Sequence, residues 1–363
     1  MTAASRPLRI DHIDGLRGWA SLSVLCFHML WETFGSLYPV LRNPYTSFLL
    51  DGPLAVYVFF VLSGDALSTP FLRSGDRASV SRLAVKRYFR LTIPILMTCL
   101  LVWLLMRLSL TAHHTAAPLI HREDWLGSFL AIDASLVRCI RFALIGVYGK
   151  TDATTSYNPF LWTMSVEFIG SLLVFIVLYA WKDLKRPAAC MVGVGLFLFA
   201  LGSLFCLFFA GIAFAQWRAS GSLARFATVR WQWAAGTLGL LTVVASVVVR
   251  SLSYEVQLLG GMLCALVLVA VCHVHAGAIR FFSSGMSSFL GRISFPLYLV
   301  QFPVLVSATS WWIVHAGALI SLQQALWISL GSTALVIVLS VAFERVEAWL
   351  LRRANHTVTR VLA

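Results

Sequence analysis

The sequence predicts an all-α fold: a polytopic integral membrane protein of about ten transmembrane helices, with both termini cytoplasmic. Three observations carry this expectation. Hydrophobic residues make up 59% of the 363 and charged residues only 12%, against roughly 45–50% and 25% in soluble domains, and mean hydropathy is +0.84. Apolar windows long enough to cross a ~30 Å hydrocarbon layer recur along the whole chain. Between those windows the basic residues gather on one side.

The windows fall near residues 16–36, 51–71, 91–110, 159–181, 231–250, 254–275, 290–313 and 321–344. The first carries Arg17 and His28 and lacks a small-residue cleavage site, so it is expected to stay in the mature protein. The run from Ala188 to Trp217 is either one tilted helix or two short helices meeting near Gly202 and Ser203. Charge decides between them. With two helices and an internal N-terminus, Arg6, Arg9 and Arg17, the cluster from Arg73 to Arg90, Lys182 to Arg186, Arg218 to Arg230, Arg280 and Arg292, and Arg345 to Arg360 are all cytoplasmic. Only Arg42, Arg107, Arg122, Arg138, Arg141, Lys150 and Arg250 fall outside. One helix would reverse every later loop and export the last cluster, against the positive-inside bias.

That bias also accounts for the net charge of +13. No basic folded module of a nucleic-acid-binding kind is present, so nucleic acid is excluded as a partner. The seven cysteines are an odd number, lie mostly in apolar runs without ligand pairing, and read as core packing. A single membrane domain over residues 1–363 is expected, without a fused soluble domain. Its largest non-cytoplasmic connection is 111–158, where "TAHHTAAPLIHREDW" is followed by "LGSFLAIDASLVRCIRFALIGVYG". Asp133, Arg138 and Arg141 argue against a free-standing span there and for an interfacial helix. His113, His114 and His121 have no second ligand group at metal-site spacing, and no metal is expected.

The stretch "DGLRGWASLSVLCFH" places His28 eleven residues after Arg17. On a helix that is about 16 Å of rise and within about 20° of three full turns, so both side chains share a face. With Arg17 at the cytoplasmic boundary, His28 sits near mid-membrane, where ionisable groups usually face a bundle interior or a wet cavity. Glu32 follows at i+4 on the same face, and Glu167 lies inside the later span "PFLWTMSVEFIGSLLVF". An imidazole at that depth can take a proton from a hydroxyl, and a carboxylate can orient it. A second cluster, "RSGDRASVSRLAVKRYFRLTIP", sets Arg82, Lys86 and Arg90 at i, i+4 and i+8 with Arg87 adjacent, as on a short helix before Pro94. It reads equally as positive-inside anchoring or as a site for a phosphorylated cytosolic ligand.

These residues together resemble the acyltransferase 3 family of membrane acyltransferases, which modify sugars, antibiotics and lipids. "IDGLRGWASLSVLCFH" is similar to its opening signature, matched by Arg17 and His28. "FFVLSG" resembles its second-span motif and includes Ser63, and "KRYFRLTIP" resembles its Arg-x-x-Arg motif in Arg87 and Arg90. "LWTMSVEF" resembles the Trp-and-Glu motif in Trp162 and Glu167, and "LGRISFPLYLVQFP" the late Leu-Gly-x-x-Ser motif. Five motifs in order make the resemblance specific. The chain departs from the pattern at Asp65, where the family often has an aromatic, and at Gln301, where the late motif usually ends in His.

The resemblance implies an acyl-coenzyme A co-substrate, no permanently bound cofactor, and transfer of an acyl group, most often acetyl, to a hydroxyl of a glycan, glycolipid or other small acceptor. It implies that Arg17, Arg87 and Arg90 hold the donor's phosphates and that His28 acts as general base or accepts the acyl group itself. Glu167 is the candidate for orienting His28 or contacting the acceptor. Asp14 is read either as orienting Arg17 or His12 or as a helix N-cap, and Trp162 either as an acceptor platform or as an interfacial aromatic. The expected setting is a lipid bilayer, a bacterial inner or plasma membrane. Two other readings are a proton-coupled transporter or flippase using His28 and Glu167 as a relay, and an acyltransferase for succinyl or longer chains.

Overall fold

The computed structural model describes residues 10–43 and 48–361, without the side chains of Ala224 and 354–361. Arg6, Arg9 and the side chain of Arg360, three of the basic groups assigned to the cytoplasm, lie outside the described residues. Every regular element described is helical.

Helix α1 spans Asp11–Cys26, with Asp11 and Asp14 in its first turn, where the helix dipole favours negative charge. It continues as a π-helical segment, Phe27–Glu32. Helix α2 spans Gly52–Ser74, started by Asp51, whose carboxylate accepts from the Leu54 N–H at 2.9 Å, and by a proline in its first turn. Helix α3 spans Arg77–Arg107, capped by Asp76. The cationic stretch expected as a short helix before Pro94 is instead the first half of this 31-residue helix. Pro94 lies inside it and costs one backbone bond, which a packed bundle tolerates.

The connection expected over 111–158 carries α4 (His113–Leu119) and α5 (Leu136–Leu144), and closes with a 3₁₀ turn at Pro159–Trp162. It is packed against the bundle: Ala116, Ala117, Ile120, Leu126, Cys139, Ala143 and Tyr157 are buried in one core with Leu25, Met29, Ile95 and Phe302. Helix α5 is amphipathic, burying Cys139 and Ala143 while exposing Val137 and Ile140.

Helix α6 spans Thr163–Ala180. The run that admitted one helix or two is two, α7 (Pro187–Ala200) and α8 (Phe205–Ala219). Gly202 ends α7 at φ +65°, with the Ser203 N–H donating to Leu198 O and the Gly202 N–H to Phe199 O, both at 2.9 Å. This paired C-terminal cap needs a left-handed residue, which glycine supplies without strain. At 14 and 15 residues these helices rise only about 21 and 22 Å, less than a full hydrocarbon layer. Helices α9 (Val229–Val249), α10 (Tyr254–Val274), α11 (Ala276–Phe282), α12 (Gly285–Val304), α13 (Ser310–Ala316) and α14 (Leu322–Val361) complete the chain. Among the described residues seven helices are long and apolar enough to cross a membrane, within Gly52–Ser74, Arg77–Arg107, Pro159–Asp183, Val229–Val249, Tyr254–Val274, Gly285–Ala316 and Leu322–Arg353.

Two glycine contacts set the bundle's centre. Helix α1 packs on α12, and α2 packs on α8. A Cβ at Gly18 would stand 2.4 Å from the Gly291 nitrogen, and one at Gly64 would stand 2.2 Å from the Phe208 oxygen. Both neighbours are backbone, so these helices touch through glycine. The glycines of "DGLRG", "FFVLSG" and "LGRIS" therefore bring the polar side chains beside them to one interior.

Candidate active site

That interior holds a cavity of about 780 Å³. Its walls come from α1 (Asp14, Arg17, Val24), α2 (Phe59, Phe60, Thr69), α3 (Arg87, Arg90, Leu91), α6 (Thr163, Met164, Glu167), α12 (Arg292, Ser294, Tyr298) and α14 (Glu347). Four arginines and three carboxylates thus face one space. Their pairing is uneven. Arg17 lies 3.9 Å from Asp14, which favours an orienting role for Asp14 over an N-cap, since α1 is capped at Ile10. Arg87 forms an ion pair with Glu167, and its Nε donates to Ser171 Oγ at 2.9 Å. Ser63 Oγ donates to the same Glu167 carboxylate at 2.6 Å. Among the described residues no ion pair joins a carboxylate to Arg90 or Arg292; Glu347 shares the cavity with Arg90, and four arginines against three carboxylates leave it net positive.

Arg17 and Val24 line the cavity along one face of α1. His28, one turn beyond Val24, is not in that lining. Its ring stacks face to face on Phe160, with centroids 3.9 Å apart and planes at 6°. Trp125 lies nearly parallel to it at 6.4 Å. Phe160 is tied to the cavity in turn, because its carbonyl accepts from the hydroxyl of Tyr298, a lining residue. His28 Nδ1 lies 3.2 Å from Gln301 Oε1, and Thr33 Oγ1 donates to the His28 carbonyl at 2.6 Å. The segment that carries His28 is π-helical, a form often found at functional sites.

Two sequence expectations are corrected here. Glu32 does not meet His28: Arg122 takes it, donating from Nη1 to the Glu32 carbonyl at 2.6 Å and from Nη2 to its carboxylate at 2.9 Å, with Arg42 at 3.9 Å. Glu167 does not orient His28 either, because Arg87, Ser63 and its position on α6 hold its carboxylate in the cavity wall. No relay from His28 to Glu167 forms among the described residues. Trp162 is half-exposed and stands outside the cavity lining.

Asp65 anchors a separate cluster. It is fully buried and accepts from Arg218 Nη1 at 2.7 Å and Nη2 at 2.5 Å, while Thr69 Oγ1 accepts from the same guanidinium at 2.7 Å. His273 Nε2 lies 3.2 Å from Asp65, and His273 Nδ1 lies 3.3 Å from His12 Nε2. No described group of His, Cys, Asp and Glu has the geometry of a metal site.

A family described as an acyltransferase domain, acyltransferase 3, matches this chain over residues 10–345. The chain belongs to the acyltransferase 3 family. It is also similar to the O-acetyltransferase PaAT-1 of Phomopsis amygdali, 28% identical over 236 residues. That match takes in 55% of this chain and 47% of the relative, so the chain spans about half the length of the curated relative it matches. No solved structure matches it.

In this acyltransferase 3 chain the residues that the sequence singled out divide into two groups. Arg17, Arg87, Arg90 and Glu167 converge on the cavity from three helices, with Ser63 bonded to Glu167. His28, Glu32 and Trp162 lie outside its lining. The sequence reading missed Arg292 and Tyr298 as cavity residues and Phe160 and Gln301 as the setting of His28. Their signal was present: a Tyr and a Gln inside an apolar span each need a buried partner.

Proposed function

We propose that this chain is a membrane O-acyltransferase that moves an acyl group, acetyl in the first instance, from acyl-coenzyme A to a hydroxyl of a glycan, glycolipid or other small acceptor. Membership of the family and the likeness to an O-acetyltransferase support the reaction class. The observation that carries the reading is the cavity, where Arg90 and Arg292 stand with Arg17, and where the lining residue Tyr298 is bonded to Phe160, on which the His28 ring stacks. Guanidinium forks suit the phosphates of a coenzyme A donor, and its pantetheine arm is long and thin enough to run inward past Val24 and Tyr298. Under the positive-inside bias the arginine end of the cavity faces the cytoplasm, where the donor is made.

His28 then meets the thioester. As general base it takes the proton of the acceptor hydroxyl while the hydroxyl oxygen bonds to the carbonyl carbon. The C–S bond breaks and the proton passes from the imidazolium to the departing thiolate, giving ester and free coenzyme A. If His28 accepts the acyl group first, a ring nitrogen attacks the carbonyl carbon and the C–S bond breaks to release the thiolate. The acceptor hydroxyl oxygen then bonds to that carbon as the C–N bond breaks, and the hydroxyl proton goes to the thiolate, giving ester and free coenzyme A. Either route requires the thioester to reach His28 from a cavity whose lining does not include it.

The test is turnover of labelled acetyl-coenzyme A by purified protein in nanodiscs. Wild type should consume the donor, and His28→Ala should lose that activity by a factor on the order of 100 or more. A wild type that neither binds nor consumes the donor, with a control enzyme active, would leave transport as the better reading.

A further inference from the structure

We propose that Gln301 sets the tautomer of His28, holding the ring proton on Nδ1 and so presenting the Nε2 lone pair for catalysis. This deepens the acyltransferase reading and rests on His28 being its base. Gln301 is fully buried on α12. Its Nε2 donates to the Tyr298 carbonyl at 3.2 Å, and its Oε1 faces His28 Nδ1 at 3.2 Å. The amide has one sensible orientation. Turned over, its oxygen would stand against the Tyr298 carbonyl oxygen, two acceptors with no proton between them.

An amide oxygen only accepts. With Oε1 against Nδ1, that nitrogen must carry the proton, and the neutral ring keeps its lone pair on Nε2. Stacking on Phe160 fixes the plane of the ring but does not distinguish its two in-plane orientations. The Gln301 bond does, because only one of them puts a ring nitrogen beside Oε1.

The arrangement suits both protonation states in the cycle. When Nε2 takes the proton of the acceptor hydroxyl, the imidazolium keeps its Nδ1–H on Oε1, and nothing has to turn. When that proton leaves for the thiolate sulfur, the starting tautomer is restored. If Nε2 instead attacks the thioester carbon, the same Nδ1–H bond remains. Gln301 never touches the reacting atoms, so it is a positioning residue.

The experiment is nitrogen-15 NMR of histidine-labelled protein in nanodiscs, with the His28 signals identified by their absence in His28→Ala. Wild type and Gln301→Glu should show the Nδ1–H tautomer, because a carboxylate oxygen also accepts. Gln301→Leu should lose it. In parallel, Gln301→Leu should lower kcat on the order of 100-fold with KM for acetyl-coenzyme A unchanged, and Gln301→Glu should restore most of that loss. An Nε2–H tautomer in wild type would overturn the proposal, as would a Gln301→Leu variant that keeps both tautomer and kcat. The NMR result needs no turnover, so an inactive wild type would count against the acyltransferase reading while the tautomer stays decided.

Discussion

Glu167 and Arg87 form a buried ion pair in the wall of the cavity, and Ser63 Oγ donates to the same carboxylate oxygen, Oε1. Both residues carry family motifs, and each motif alone suggested a different job, phosphate binding for Arg87 and, for Glu167, orientation of His28 or contact with the acceptor. Their pairing gives them a shared one, shaping a cavity in which the other cations are elsewhere.

Removing one member of this pair should therefore cost more than removing both. Arg87→Met leaves a buried carboxylate without its counter-ion, a loss of about 3–5 kcal/mol. Arg87→Met combined with Glu167→Met should recover much of that. Thermal unfolding of the two single variants and the double variant in detergent measures the coupling.

Asp65→Asn should be among the most destabilising single changes, by about 3–5 kcal/mol, since it strands Arg218 beside a neutral amide. The bidentate geometry and the complete burial of Asp65 set that size. Arg218→Lys should not be neutral either, because an ammonium cannot reproduce two parallel bonds to one carboxylate. The thermal midpoint of each variant is the readout.

At the glycine contacts a single methyl decides. Gly18→Ala and Gly64→Ala force backbone apart and should each cost about 1–3 kcal/mol or prevent folding. Gly193→Ala, with nothing within 4 Å of the new methyl, should be stabilising by up to about 1 kcal/mol through helix propensity. Expression level and thermal midpoint should set Gly193→Ala above both other variants.

Much of this was legible beforehand, and what was not has a physical cause. Hydropathy gave the helical membrane character, and the break at Gly202 followed from length and charge. Cationic spacing gave Arg87 and Arg90 on one helix but not its extent, because a proline that reads locally as a stop is carried inside a packed helix. The family motifs named Arg17, Arg87, Arg90 and Glu167, and these four line one cavity. Which carboxylate meets which cation was not readable, since Glu32 finds Arg122 from 90 residues away and Asp65 finds Arg218 from 153 away. Gln301, noted only as a departure from the family pattern, became legible once the structure set it against His28.

His113 gives a pH dependence outside the spans. Its Nε2–H donates to the Phe129 carbonyl at 3.0 Å, while its Nδ1 is buried without a hydrogen-bond partner. Burial pushes its pKa down to about 4, against 6.5 ordinarily, with the His114 ring 4.0 Å away adding to the effect. The unfolded chain then binds the proton more readily than the folded one, so stability is full above pH 6.5 and falls as pH drops toward 4. Thermal midpoints across that window should fall less steeply in His113→Gln than in wild type.

On the proposed reading the arginine cavity binds the donor and His28 does chemistry without holding it. Equilibrium binding of acetyl-coenzyme A to protein in nanodiscs separates the two. His28→Ala should bind the donor like wild type, whereas Arg90→Ala combined with Arg292→Ala should bind it at least about tenfold more weakly, the loss of roughly 1.4 kcal/mol of charge-assisted contact. Unchanged affinity in the double arginine variant, with wild type binding measurably, would contradict the account.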